Sequence, residues 1–244
     1  MRNVFIFYCS VFLIFISCTK ENKCHCIKTT GKIIKKEILL SDFNEIQINN
    51  IFDVYITNDT VNKIVIEGGK NIVPFITSEV NNQSLKISNK NKCNWLRSYK
   101  KELNLYISAK SLNSIIINGE SNIYSTNTII CHELNVVVNS GIAKADLTIN
   151  SDIAHLTVHA ATGDYTLRGK TGTGYLYSFG TCYIMATDLE CDFMYITNKS
   201  TGNDFISVKK EIGAEINGSG NIYYNGNPAT IKIKETSSGR LIKQ

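Results

Sequence analysis

From Ile38 onward the chain alternates apolar and polar positions with a period of two. Ile46-Gln47-Ile48, Val54-Tyr55-Ile56, Ile64-Val65-Ile66, Leu85-Lys86-Ile87 and Leu103-Asn104-Leu105-Tyr106-Ile107 show it, with Asn, Asp, Gly and Ser clusters between them. Such runs predict half-buried β-strands joined by turns. Helix is scarce, and the exception lies within 71–80, where Pro74 can open a short helical turn. With 2 prolines in 244 residues, strand interiors are rarely interrupted.

The second half adds a longer period. A turn-like glycine recurs at 119, 141, 163, 180, 202, 220 and 239, a mean step of about 20 residues, within the range of stacked supersecondary units. Between these glycines the strands can be set in columns. Leu134, Leu156, Leu176, Met194 and Ala214 form one, and Val136, Val158, Ser178, Ile196 and Ile216 the next. Matched apolar columns are what stacked coils need, because each coil exposes its inward face until a neighbour about 4.8 Å away covers it. The expected fold is therefore all-β, a right-handed parallel β-helix (β-solenoid) with Gly-centred turns. An antiparallel β-sandwich is the alternative, although it does not demand matched columns.

The N-terminus is a different kind of sequence. Arg2 precedes the apolar run Val4 to Ile16, too short to span a bilayer and of the length of a signal-peptide core. Ser17-Cys18 after apolar residues resembles the lipobox of bacterial lipoproteins, in which the cysteine is acylated. The reading is a signal peptide over 1–17, a lipidated N-terminus and polar, Lys-rich tether over 18–37, and a β-solenoid domain over 38–244. Six cysteines then remain, Cys24, Cys26, Cys93, Cys131, Cys182 and Cys191, and their spacing selects no pairing. Cys24-His25-Cys26 lacks the spacing of a structural zinc site.

Composition narrows the function. At 43% hydrophobic and 19% charged the chain is a folded protein, and a net charge of +5 falls short of a dedicated nucleic-acid binder. One basic stretch, Lys86, Lys90, Lys92, Arg97, Lys100 and Lys101 with Trp95 and Tyr99, suits either an anionic envelope surface or a solvated loop with Trp95 turned to the core.

Three stretches carry a resemblance to a known family. They are Phe52-Asp53-Val54-Tyr55-Ile56 with Val65-Ile66-Glu67-Gly68 and Asn71-Ile72-Val73-Pro74; the series of Gly-centred turns; and Ile216-Asn217-Gly218-Ser219-Gly220-Asn221-Ile222-Tyr223-Tyr224-Asn225-Gly226-Asn227-Pro228. From about Ser41 to Gly239 the chain resembles the head GIN domain proteins, labelled putative auto-transporter adhesins, of Gram-negative cell envelopes. The resemblance implies a β-helical fold, a lipoprotein habit and no agreed catalytic residues. The family's Ser-Gly-Ser turns are diluted here to Asn118-Gly119-Glu120-Ser121, Asn139-Ser140-Gly141 and Ala161-Thr162-Gly163.

Catalytic chemistry finds little support. Asp188, Glu190 and Asp192 alternate onto one face of a strand, but Arg168, Lys209 and Lys210 on adjacent coils make a cross-strand charge ladder the better reading. His155 and His159 lie in a strand with Cα atoms roughly 13 Å apart, too far for one ion. No metal or cofactor is expected. If Val136, Val158 and Ile216 point inward, Tyr175, Tyr177, Phe179, Phe193 and Tyr195 point outward with His155 and His159, a ligand or interface surface. The competing arrangement turns these aromatics into a widened core. The function expected is a non-catalytic, lipid-anchored, extracytoplasmic adhesin-like binding or scaffolding module, on the outer membrane, with a homo-oligomer, a glycan or another envelope component as partner and no nucleic acid. The alternative is a carbohydrate-active enzyme, a polysaccharide lyase or glycosidase-like β-helix.

Overall fold

The computed structural model describes residues 29–91, 103–139 and 141–244. The leader, Cys18, Cys24, Cys26, Cys93, Trp95 and most of the basic stretch lie outside the described residues. The chain is a β-solenoid in which two ladders of strands face each other across one core, joined by corner turns.

The N-terminal part builds an unusual start. The strands are β1 (Ile33–Leu39), β2 (Glu45–Asn49), β3 (Asp53–Asn58) and β4 (Lys63–Gly69), then β5 (Ile76–Asn81), β6 (Ser84–Asn89) and β7 (Asn104–Ala109). β1 pairs antiparallel with β4 and β4 with β7, while β5 and β6 form an antiparallel hairpin pair. The first strand thus starts at Ile33, inside the stretch read as tether. Pro74 opens a single 3-10 turn, Val73–Phe75. There its missing N–H and fixed φ cost nothing.

Parallel coils follow. β8 (Ser114–Ile117) and β9 (Asn122–Ser125) lie beside β2 and β3, whose other neighbours are β6 and β7. The coil formed first in sequence is therefore sandwiched between two later ones. Beyond it come β10 (Ile129–Ile130), β11 (Glu133–Val138), β12 (Gly141–Ile142) and β13 (Lys144–Ala186), whose 43 residues pass from one ladder to the other and back. β14 (Leu189–Ser200), β15 (Asp204–Ser207), β16 (Glu211–Ile216), β17 (Ile222–Asn225), β18 (Thr230–Glu235) and β19 (Leu241–Lys243) complete the stack in parallel register.

The register corrects the expected columns. Val136 lies opposite Leu156, where Leu134 was expected, and Leu176 opposite Ile196, where Met194 was expected. Both slips are of two residues. Side chains alternate with a period of two, so such a slip keeps the inward face while moving every vertical neighbour. Ile46, Ile115, Val136 and Leu156 form one continuous buried column, and Ile48, Ile117, Val138 and Val158 the next.

Recurring glycine has a steric cause at the corner. A Cβ on Gly220 would lie 1.8 Å from the carbonyl oxygen of Gly202, and one on Gly202 would lie 2.0 Å from that of Cys182. Successive backbones therefore stack too closely there for any side chain. A positive φ is the cause at other corners, as at Gly180 with φ 117°.

Candidate binding face

Period two sends the odd-numbered positions of β11, the central part of β13, and β14 to the outer surface. All seven predicted side chains lie on that side: Tyr175, Phe179, Phe193 and His159 are exposed, and Tyr177, Tyr195 and His155 half-buried. The widened-core arrangement does not occur, because Leu176 and Ser178 are the buried pair.

These rings form a ladder. His155 stacks on Tyr175 with centroids 4.8 Å apart and planes within 9°, and Tyr175 stacks on Tyr195 at 5.4 Å. His159 is tilted against Tyr177 at 5.7 Å, and the ammonium of Lys199 stands 5.6 Å above the same ring. Lys210 covers Phe193 at 5.5 Å. His155 also meets Glu133, Nε2 to Oε1, at 3.0 Å. In such a stack the ring faces cover one another, so the surface offers mainly ring edges and hydroxyls.

Two aromatic groups escaped the sequence reading. Tyr55 stacks with Tyr106 at 5.2 Å and with Tyr124 at 5.4 Å, and Phe205 with Tyr223 at 5.1 Å. The Tyr106 hydroxyl donates to Glu67 at 2.7 Å, which holds that carboxyl below its ordinary value. A signal was present: in Val54-Tyr55-Ile56, Leu105-Tyr106-Ile107 and Ile123-Tyr124-Ser125 each tyrosine takes the outward slot between two inward-facing residues or beside one.

The acidic residues form the charge ladder. Arg168 bridges Asp146 and Asp188; Lys209 reaches Glu190 at 3.0 Å and Lys210 reaches Asp192 at 2.8 Å. The hydrogen bond from Lys209 lowers the Glu190 pKa, the opposite of what a general acid needs. Among the described residues Asp204 is the carboxyl group pushed up, to about 7, by burial, yet it is fully buried in the core, out of reach of any substrate. Cys131, Cys182 and Cys191 are free thiols, and burial raises the latter two to about 11, leaving them weak nucleophiles. Among the described residues no three His, Cys, Asp or Glu side chains group as a metal site.

A shallow hollow of about 510 Å3 opens on the aromatic face, lined by Tyr177, Tyr195, Thr197, Gly213, Glu215 and Lys232 among others. The profile of the family described as "Putative auto-transporter adhesin, head GIN domain" matches residues 42–228. The chain belongs to this head GIN domain family. Among solved structures, a putative adhesin from Bacteroides fragilis NCTC 9343 superposes with a TM-score of 0.81 at 22% identity, covering 87% of this chain and 97% of that one. A putative adhesin from Parabacteroides distasonis ATCC 8503 gives 0.67 at 19%, covering 88% and 98%. A putative lipid binding protein from the same organism gives 0.65 at 18%, covering 87% and 97%. These likenesses show that the chain shares the fold of those structures. No curated protein matches it.

Proposed function

We propose that this head GIN domain protein is a non-catalytic, lipid-anchored module of the cell envelope that binds other surface components through the aromatic outer face of β13 and β14. The observation that carries the reading is the stacking of His155, Tyr175 and Tyr195 over successive rungs, with Tyr177, Phe179 and Phe193 beside them. Contiguous exposed apolar and aromatic surface of this kind often marks an interaction site. The ion-paired carboxylates and the burial of Asp204 favour binding over polysaccharide cleavage. Family membership places the adhesin description beside an envelope or extracellular setting. The finer placement, a signal peptide over 1–17 and acylation of Cys18 holding residues 18–37 as a tether at the outer membrane, is part of the proposal and rests on the sequence.

A double substitution, Tyr177→Ser with Tyr195→Ser, tests the face. The variant is expected to keep its melting midpoint and, compared with its parent when both carry Cys18→Ala so that no lipid contributes, to lose binding to isolated cell-envelope material. If a second copy is the partner, the oligomer mass in light scattering falls as well. Unchanged retention together with unchanged mass would overturn the proposal. For the anchor, Cys18→Ala is expected to release the protein from membranes; membrane retention of that variant, with no lipid mass on the wild type, would remove the anchor.

A further inference from the structure

The low points of the aromatic face lie on a diagonal. Pairing sets Tyr175 beside Tyr195, Tyr195 beside Gly213 and Gly213 beside Lys232 in one column; Tyr177, Thr197, Glu215 and Lys234 follow one another in the next. The two small residues, Thr197 and Gly213, are thus diagonal neighbours on successive rungs, and the hollow of about 510 Å3 lies over them. The Tyr195 ring stands on one flank and the Glu215 carboxylate on the other, with Tyr177 and Lys232 at the ends.

Gly213 is what gives the Tyr195 ring its room at the edge of the floor. A Cβ there would come within 2.7 Å of Cδ1 of Tyr195, so the ring settles over bare backbone. The ladder that covers both faces of Tyr175 with His155 and Tyr195 is not continued by a further ring at position 213. Tyr195 therefore turns one side of its ring toward the hollow. Around it the charged groups are paired. Lys234 bonds Glu215 and Lys232 bonds Glu211, both at 2.9 Å, and the Lys234 bond holds Glu215 ionised as an acceptor.

We propose that this trough is a binding site for one neutral sugar ring of a glycan chain, a proposal that rests on the aromatic face being the binding face. A pyranose has an apolar C–H face that packs on an aromatic ring and an edge of hydroxyls that both donate and accept. Tyr195 supplies the first partner; Glu215 accepts, and Thr197 and the ammonium groups donate. The volume lies within the range of small-ligand sites, roughly 300–1,000 Å3, and the open sides let a chain run past. The two lysines that line the trough, Lys232 and Lys234, are each answered by a glutamate, and Lys199 is turned onto the Tyr177 ring, so the lining does not concentrate positive charge on one acidic group.

The test uses the full-length protein on an array of immobilised neutral and acidic oligosaccharides, followed by titration of the best neutral hexasaccharide. Tyr195→Ala and Gly213→Leu are each expected to weaken binding about tenfold or more, one by removing the ring and the other by pushing it from its place. Tyr223→Ala, on the other ladder, is expected to leave it unchanged, and all three variants are expected to keep cooperative melting. Absence of neutral-glycan binding, retention of full affinity by Gly213→Leu, or salt-sensitive binding of acidic sugars only would overturn the sugar assignment. If the Tyr177→Ser, Tyr195→Ser variant still loses envelope retention in that event, the binding face stands and only the ligand class falls; if retention is unchanged too, both fall.

Discussion

The core differs along the solenoid. In the first coils and as far as Val158, the inward columns are aliphatic, with Ile46, Ile48, Ile115, Ile117, Val136, Val138 and Leu156 all buried. Around β14 and β15 the same inward positions carry Ser178, Asn198, Ser200 and Asp204, also buried. The second arrangement is tolerated because its polar atoms are paired. Asp204 accepts from Ser178 at 2.8 Å, from Asn198 at 2.7 Å and from the backbone N–H of Ile184 at 3.1 Å. Ser200 accepts from the N–H groups of Cys182 and Gly202, and donates to the carbonyl of Cys182 at 3.0 Å. The comparison teaches that a coil core can hold a carboxyl group only where its neighbours bring donors.

The largest effect should come from placing a carboxylate in the aliphatic region. Val158→Asp buries a charge among aliphatic side chains at a cost of several kcal/mol against a total stability of roughly 5–15, so loss of the cooperative melting transition is expected. A cooperatively folding variant would show that the apolar and polar regions are interchangeable.

Next is the pH dependence of the polar region. Burial raises the Asp204 pKa from 3.8 to about 7, so this group is neutral in both folded and unfolded chains below about pH 4 and its stabilisation is then complete. As pH climbs from about 4 to about 7 the unfolded chain ionises first, and stability falls by an amount of order 4 kcal/mol, then levels off. Exposed carboxylates with lowered values contribute in the opposite sense in acid. The informative quantity is therefore the difference between wild-type and Asp204→Asn denaturant midpoints across pH 4–8, which should slope as described. A flat difference would mean that the donors stabilise the carboxylate as well as water does.

A smaller effect is expected from Ser178→Ala, which removes one of three donors to Asp204 and should cost about 1 kcal/mol in denaturant unfolding. No loss would indicate that Asn198 and the Ile184 N–H suffice.

Much of the fold was legible because period-two alternation survives small errors. The columns were misaligned by two residues at Leu134 and Met194, yet Tyr175, Tyr177, Tyr195 and His155 still turned outward as expected. The antiparallel β1, β4 and β7 were not legible, since alternation says nothing of strand direction. The polar core was hidden for the same reason as the column slip: only the true register sets Ser178 beside Asn198. The hollow at Gly213 was hidden too, because a glycine outside a turn carries no signal until the ring above it is placed.

The insertion of the β2–β3 coil between β6–β7 and β8–β9 sets an order of events. Along β13 to β16 a residue meets its partner 18 to 20 positions away, as Gly174 with Met194 and Met194 with Ile212. β2 finds its partners 39 and 69 positions away, as Glu45 with Ser84 and with Ser114. Closing the longer loop costs roughly 1 kcal/mol more in chain entropy, and remote contacts slow a folding reaction. The later coils should therefore zip up first and serve as the template on which the earlier strands dock, so that pulsed hydrogen exchange protects Met194 and Ile196 before Ile46 and Ile48. Simultaneous protection would indicate a single collective step. In a chain emerging from synthesis, the part made first is then the part completed last.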